Sequence, residues 1–261
     1  MRCYASHWLP GVTDRAGAVE SAREARRRGF SAFKFSAIDR RLLRENERAA
    51  MRRAEELLAG AREGAGDDCD VMIELAELLS PRTAVELGRT LAPYRPYWFE
   101  EPIPFENARA MAALQRDLDV PIATGERLLS RWEFRELLEL QGCRIIQPDL
   151  MHAGGITEVK RIAALADTHY IPVAPHNSGG PVATAAAIHL AASIPNFLIL
   201  EQMEMERHLR AEICSDAPRI FDGHFVLPDR PGLGIEIDVR AVKARSFRPQ
   251  PVSGSSESLW R

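Results

Sequence analysis

YWFEEPIPFENARAMAALQRDLDVPIATGERLLSRWEFRELLELQGCRIIQPD, residues 97–149, decides the fold. Tyr97–Phe99, Pro121–Ala123 and Arg144–Gln147 are short apolar runs that read as strands. Each is followed at its C-terminal end by an acid: Glu100 and Glu101, then Glu126, then Asp149. Between them, Asn107–Leu118 and the segment from Ser130 to Leu140 place apolar residues at the three- and four-residue spacing of an amphipathic helix. Ser130 followed by Glu133 is a capping-box pattern. Strand, helix, strand, helix, strand implies parallel strands joined by right-handed crossovers.

The same unit continues outward in both directions. Upstream, Arg2–Ser6 reads as a first strand. Ala16–Arg28 reads as a helix after the Thr13-Asp14 cap, stopping at Gly29. Ser31–Ser36 is a second strand, Leu42–Arg62 a long charged helix ended by Gly64 and Gly66, and Asp70–Leu75 a third strand. Pro81 suits the first turn of a helix running to Leu91. Downstream, Ile156–Ala166 is a helix, Ile171–Ala174 a strand, Val182–Ala192 a helix and Phe197–Leu200 a strand.

That makes eight strands with helices between them. A closed (β/α)8 barrel of about 250 residues fits a 261-residue chain better than an open doubly wound sheet. No GxGxxG follows a strand, which leaves a dinucleotide-binding fold without support. One barrel domain over residues 1–240 is expected, with an irregular Pro/Ser-rich tail over 241–261.

Composition narrows the class further. Hydrophobic residues make up 46% and charged residues 27%, with a net charge of −3. This excludes a generally basic surface for nucleic acid or anionic lipid. Cys3, Cys69, Cys143 and Cys214 are scattered singly, so neither a zinc motif nor a disulfide framework is indicated, and reduced thiols in a cytoplasm are expected. No signal peptide is evident, and no run of about 18 apolar residues predicts a membrane span.

In such a barrel, chemistry sits at the C-terminal ends of the strands. Glu74, Glu100 with Glu101, Glu126, Asp149, His176 and Glu201 end six successive strands. Glu74, Glu100 and Glu126 lie on three adjacent strands at equal spacing. Three carboxylates converging on one point repel unless a cation sits among them, and an all-oxygen donor set suits Mg²⁺. The blander reading pairs these glutamates with helix N-termini or with Arg127 and Arg131.

Asp149 beside His176 would fix the imidazole tautomer and raise its basicity, as a general base requires. The alternative is a histidine held by local backbone bonds in HNSGG. Lys34 is placed to bind a substrate carboxylate or, with a lowered pKa, to act as a base; a lysine snorkelling over the rim is the competing reading.

WFEEP (98–102), TGER (124–127), IIQPDLMHAGGITE (145–158), APHNSGGP (174–181) and PGLGIEID (231–238) together resemble the mandelate racemase/muconate lactonizing enzyme branch of the enolase superfamily. TGERLLSRWEF and QPDLMHAGGITE are most similar to the D-galactonate dehydratase-like acid-sugar dehydratases. The resemblance implies a modified TIM barrel and Mg²⁺ held by Glu74, Glu100 and Glu126. It also implies a His176–Asp149 dyad that removes the proton α to a substrate carboxylate, with the metal stabilising the enediolate. Glu201 matches the acidic residue that positions that carboxylate. His152, in DLMHAGG, lines the pocket or simply starts a helix.

The expected activity is a hydro-lyase acting on a galactonate-like aldonate, in a cytoplasmic homo-oligomer with a small sugar-acid substrate and no nucleic-acid or membrane partner. Racemisation, epimerisation and cycloisomerisation are the alternatives, as is a catalytically impaired barrel. Lys34-Phe35-Ser36 lacks the second lysine of racemases, and Ala76 stands where the galactonate type carries its acid. The resemblance implies an N-terminal α+β capping domain; with the first barrel strand already at Tyr4, no segment for it is expected in this sequence, whether it is a piece of a longer chain or an open-mouthed member. A barrel lacking that lid is therefore the expected architecture.

Overall fold

The computed structural model describes residues 1–245. Chain order begins β1 (Cys3–Ser6), α1 (Arg15–Arg27), β2 (Ala32–Ser36), α2 (Arg40–Glu45), α3 (Glu47–Ala65), β3 (Asp70–Glu74) and α4 (Pro81–Leu91). It continues with β4 (Phe99–Glu100), α5 (Ala108–Asp117), β5 (Ile122–Thr124), α6 (Arg131–Glu139), β6 (Ile145–Ile146), α7 (Gly155–Asp167) and α8 (Pro181–Ala191). Last come β7 (Leu200–Met203), α9 (Arg207–Ile213), the hairpin β8 (Ile220–Phe221) and β9 (His224–Phe225), and α10 (Val239–Ala244).

The strands pair in parallel in the order β6-β5-β4-β3-β2-β1-β7. Ile171–Ala174 contributes a single residue rather than a full strand: Val173 bridges Ile146 on one side and Phe197 on the other. Those two bridges join β6 to the segment leading into β7, so eight parallel segments close the (β/α)8 barrel. In-register pairing places Ser36 beside Glu74 and Glu74 beside Glu100 at the same end of the sheet.

Local signals set the helix ends. The Asp14 carboxylate accepts from Gly17 N at 2.8 Å and starts α1. Ser130 and Glu133 form the capping box of α6, and Pro81 opens α4 behind the Ser80 cap. The helix expected over Leu42–Arg62 is two helices. Asn46 breaks it with φ −158° while its side chain caps α3 through Ala49 N, because Asn competes with the helical backbone and favours caps. Helix α10 carries regular structure past residue 240; the rest of the expected tail, 246–261, lies outside the described residues.

Two apolar layers hold the barrel. Inside it, Tyr4, Ala32, Met72, Trp98, Ala123, Ile145, Ala174 and Ile199 are buried, with Tyr4 and Trp98 edge to face at 5.5 Å. Between strands and helices lies the larger layer of Val, Leu, Ile, Ala and Phe. Helices α1 and α3 pack through small residues: a Cβ at Gly60 would stand 2.4 Å from Arg15 O, and one at Gly64 2.2 Å from Val19 O. These layers leave the C-terminal strand ends open for polar side chains.

Candidate active site

Strand geometry brings the expected acids together. Carboxylate oxygens of Glu74, Glu100 and Glu126, from the ends of β3 and β4 and the turn after β5, all lie within 4.8 Å of one another. Burial and the neighbouring Glu100 charge hold the Glu74 carboxyl well above its usual range. The donors are hard oxygens from three carboxylates, which matches Mg²⁺ and leaves coordination positions for water or substrate oxygens. The residues present therefore fit such an ion.

Lys34 lies deeper than a rim lysine. It is only 2% exposed, and its Nζ lies 3.3 Å from Glu74 Oε2 and 3.2 Å from Glu201 Oε1, and bonds Glu100 Oε1 directly. Burial acts to lower its pKa, but Glu100, Glu201, Tyr4 and Glu74 more than offset this and raise it well above the ordinary value. The lowered pKa a lysine base would need is thus absent. The other Glu100 oxygen accepts from Trp98 Nε1 at 3.0 Å and Gln147 Nε2 at 2.7 Å.

The Asp149–His176 contact forms as expected. Nδ1 donates to Asp149 Oδ2 at 2.7 Å, leaving Nε2 facing Glu126 Oε2 at 3.5 Å and Glu201 Oε2 at 3.8 Å. Asp149 Oδ1 accepts from Met151 N at 2.6 Å, which ties the carboxylate to the turn after β6. Burial opposes the imidazolium, yet the Asp149 bond and the charges of Glu201 and Glu126 lift the His176 pKa to about 9. The reverse holds for Glu201. Burial would raise it, but Lys34, His176 and the Asn177 N–H pull it down to about 2.

His152 stands at the edge, with Nδ1 3.3 Å from Glu126 O. Of the arginines named as competitors, Arg127 reaches Glu77 at 3.1 Å and Glu126 at 3.4 Å, whereas Arg131 pairs with Glu158. Ala76 follows the β3 end with φ +47° and donates its N–H to Glu74 Oε1 at 2.7 Å.

Sequence reasoning missed Gln147, Trp98 and Asn177, and it counted Glu101 with Glu100 among the strand-end acids without separating their roles. Gln147 and Asn177 stand inside IIQPD and APHNSGG, so their motifs were the available signal. Nothing local marks Trp98 as a donor to Glu100.

The family model described as "Enolase C-terminal domain-like" matches residues 17–242. The chain belongs to this family. Among relatives of this enolase-type barrel, the D-galactonate dehydratase of Cronobacter sakazakii (strain ATCC BAA-894) is 36% identical, over 97% of this chain and 67% of that protein. The D-xylonate dehydratase of Haloferax volcanii is 35% identical over 91% of this chain and 59% of its own length. The D-gluconate dehydratase of Thermoproteus tenax is 31% identical over 100% of this chain and 52% of its own length. The chain thus spans about half to two thirds of these curated relatives.

Among solved structures, a mandelate racemase/muconate lactonizing enzyme from Jannaschia sp. CCS1 superposes with a TM-score of 0.87 at 32% identity, over 96% of this chain and 67% of that one. No helix among the described residues is long and apolar enough to cross a membrane.

Proposed function

We propose that the barrel is the catalytic unit of a Mg²⁺-dependent acid-sugar dehydratase, a carbon–oxygen lyase acting on a galactonate-like aldonate. One observation carries this reading. A histidine polarised by a buried carboxylate points its other ring nitrogen, Nε2, at the edge of a three-carboxylate cluster. An acid-sugar dehydratase needs a cation site for the substrate carboxylate beside a base for the α-proton. Three relatives whose names are sugar-acid dehydratases support the substrate class.

In this reading Glu74, Glu100 and Glu126 hold the cation, which when bound would orient the substrate carboxylate and stabilise negative charge developing beside it. In its neutral form His176 takes the α-proton at Nε2, and Asp149, bonded to Nδ1, holds the ring in the tautomer whose Nε2 is unprotonated. With Ala76 unable to donate a proton, His176 returns the proton to the departing β-hydroxyl on the same face, releasing water and leaving an enol that becomes the 2-keto acid. Lys34 and Glu201 set the charge beneath the substrate carboxylate, and His152 borders the pocket. Residues 1–240 act as one domain, in a cytoplasmic homo-oligomer.

Incubation with a sugar-acid library in deuterated water tests the reading. Formation of 2-keto acids is expected, with solvent exchange at the α-carbon of recovered substrate, and His176→Asn should reduce both by at least about 100-fold, the lower bound for a lost general base. Undiminished exchange in that variant would refute the role. Exchange without keto-acid formation would favour the epimerase alternative.

A further inference from the structure

Glu101 is fully buried, yet it does not join the cluster its neighbour Glu100 enters. Its Oε1 accepts from Thr124 Oγ1 at 2.7 Å and from Gly125 N at 2.8 Å, in the turn that leads straight into Glu126. Its backbone serves the flanking loops as well. The Glu101 N–H donates to Ala123 O at 3.1 Å, and its carbonyl accepts from Glu77 N at 2.7 Å. One residue therefore stitches together the loops after β3, β4 and β5, next to the strand ends that carry Glu74 and Glu100 and in the turn that carries Glu126.

Stability alone does not account for this residue. Among the described residues no cation pairs with it, its Oε2 is buried without a partner, and its φ is +43°. Burying a carboxyl without a cation partner is unfavourable, and a left-handed non-glycine residue costs about 1–2 kcal/mol. Gly125 supplies the complementary half of the arrangement. Its φ is +124°, and a Cβ there would lie 2.7 Å from Phe134 Cε1, so Gly125 has no side chain of its own to hold the turn at that point. The Gly125 N–H bond to Glu101 is the anchor there. Strained, costly residues gather where geometry serves a site.

We propose that Glu101 is a positioning residue for the divalent-cation site, holding the Thr124–Gly125 turn so that Glu126 meets Glu74 and Glu100. The proposal rests on the cation-site reading above and extends it to a residue outside the ligand set. Gln at this position keeps Oε1 as the acceptor and places an amide where the unpartnered Oε2 stands, so it should conserve the geometry. Ala removes the acceptor, and Asp retracts it by one methylene.

The test is calorimetric titration of Mg²⁺ into the chain and its variants, with a thermal melt of each. Glu101→Ala should weaken Mg²⁺ binding by about 10–100-fold, the range for outer partners of metal ligands, while Glu101→Gln stays close to the parent. Leu138→Ala, a fully buried core truncation in α6, should lower the melting temperature without moving the affinity. If Glu101→Ala does not fold, Glu101→Asp should show the weakened binding. Parent-like affinity in the Ala or Asp variant overturns the proposal, as does equal affinity loss in Leu138→Ala, which would make the effect one of general stability. A parent chain that binds no Mg²⁺ overturns the cation-site reading itself and this proposal with it.

Discussion

Replacing Lys34 with Met, an apolar side chain of similar length, removes the cation bonded directly to Glu100. Three carboxylates surround the ammonium: Glu100 in direct contact, Glu201 at 3.2 Å and Glu74 at 3.3 Å. At an effective dielectric of about 20, each pair near 3.3 Å attracts by about 5 kcal/mol before desolvation. Stripping water from each buried ion costs several kcal/mol, so the net loss on removing one partner of a buried ion group is about 3–5 kcal/mol. At about 2–4 °C per kcal/mol for a domain of this size, Lys34→Met should melt roughly 6–20 °C below the parent in a chelator.

The deficit should also depend on pH. Without the ammonium, the Glu74 carboxyl rises further above its usual range and Glu201 loses the charge that most lowers its pKa, and a raised acid contributes stability at low pH that is lost as pH rises. The gap should therefore widen from pH 5 to pH 8. Mg²⁺ at about 100 times its Kd adds about 2.7 kcal/mol to whatever binds it. The variant, with one more uncompensated negative charge, should gain more from Mg²⁺ than the parent does. Thermal melts with chelator and with Mg²⁺, at both pH values, measure all of this. A variant as stable as the parent in chelator at pH 8, with no larger gain from Mg²⁺, would refute the view that Lys34 balances the cluster.

The parent chain in chelator should itself lose stability between pH 6.5 and 9.5. His176, raised from 6.5 to about 9, contributes about 3 kcal/mol that is complete below its unfolded pKa and gone once pH passes its folded one. Glu101, whose carboxyl burial pushes up to about 8, acts in the same direction; urea unfolding that is flat across this range would contradict both. Asp149→Asn should lower the His176 pKa, read by NMR titration of the ring, and slow α-proton exchange, whereas an unshifted titration would show that the 2.7 Å contact does not set its basicity. Gly64→Ala should cost about 1–3 kcal/mol in chemical denaturation, because the added methyl meets Val19 O across the α1–α3 contact, and a neutral result would mean those helices can separate freely.

The sequence by itself determined what is local. Strand–helix alternation, the Asp14 and Ser130 caps and the Pro81 start depend on hydrogen bonds and apolar spacing within a few residues, and they formed where the residues indicated. The polar residues at strand ends were equally legible, because a barrel's parallel strands all deliver their C-terminal ends to one face. Asn46 was misread because its side chain caps α3 in the middle of a pattern whose apolar period runs on.

Distance in the chain hid the rest. Lys34 reads locally as one lysine on a short strand; only the β2–β3–β4 register and the β2–β1–β7 pairing surround it with carboxylates from three other segments. Glu101 beside Glu100 looks like a repeated acid. The tertiary structure separates them, sending one into the cluster and the other under the Gly125 turn. Proximity in the folded chain, and the burial that strengthens charge on charge, follow from strand register and closure. Neither can be read from a single segment.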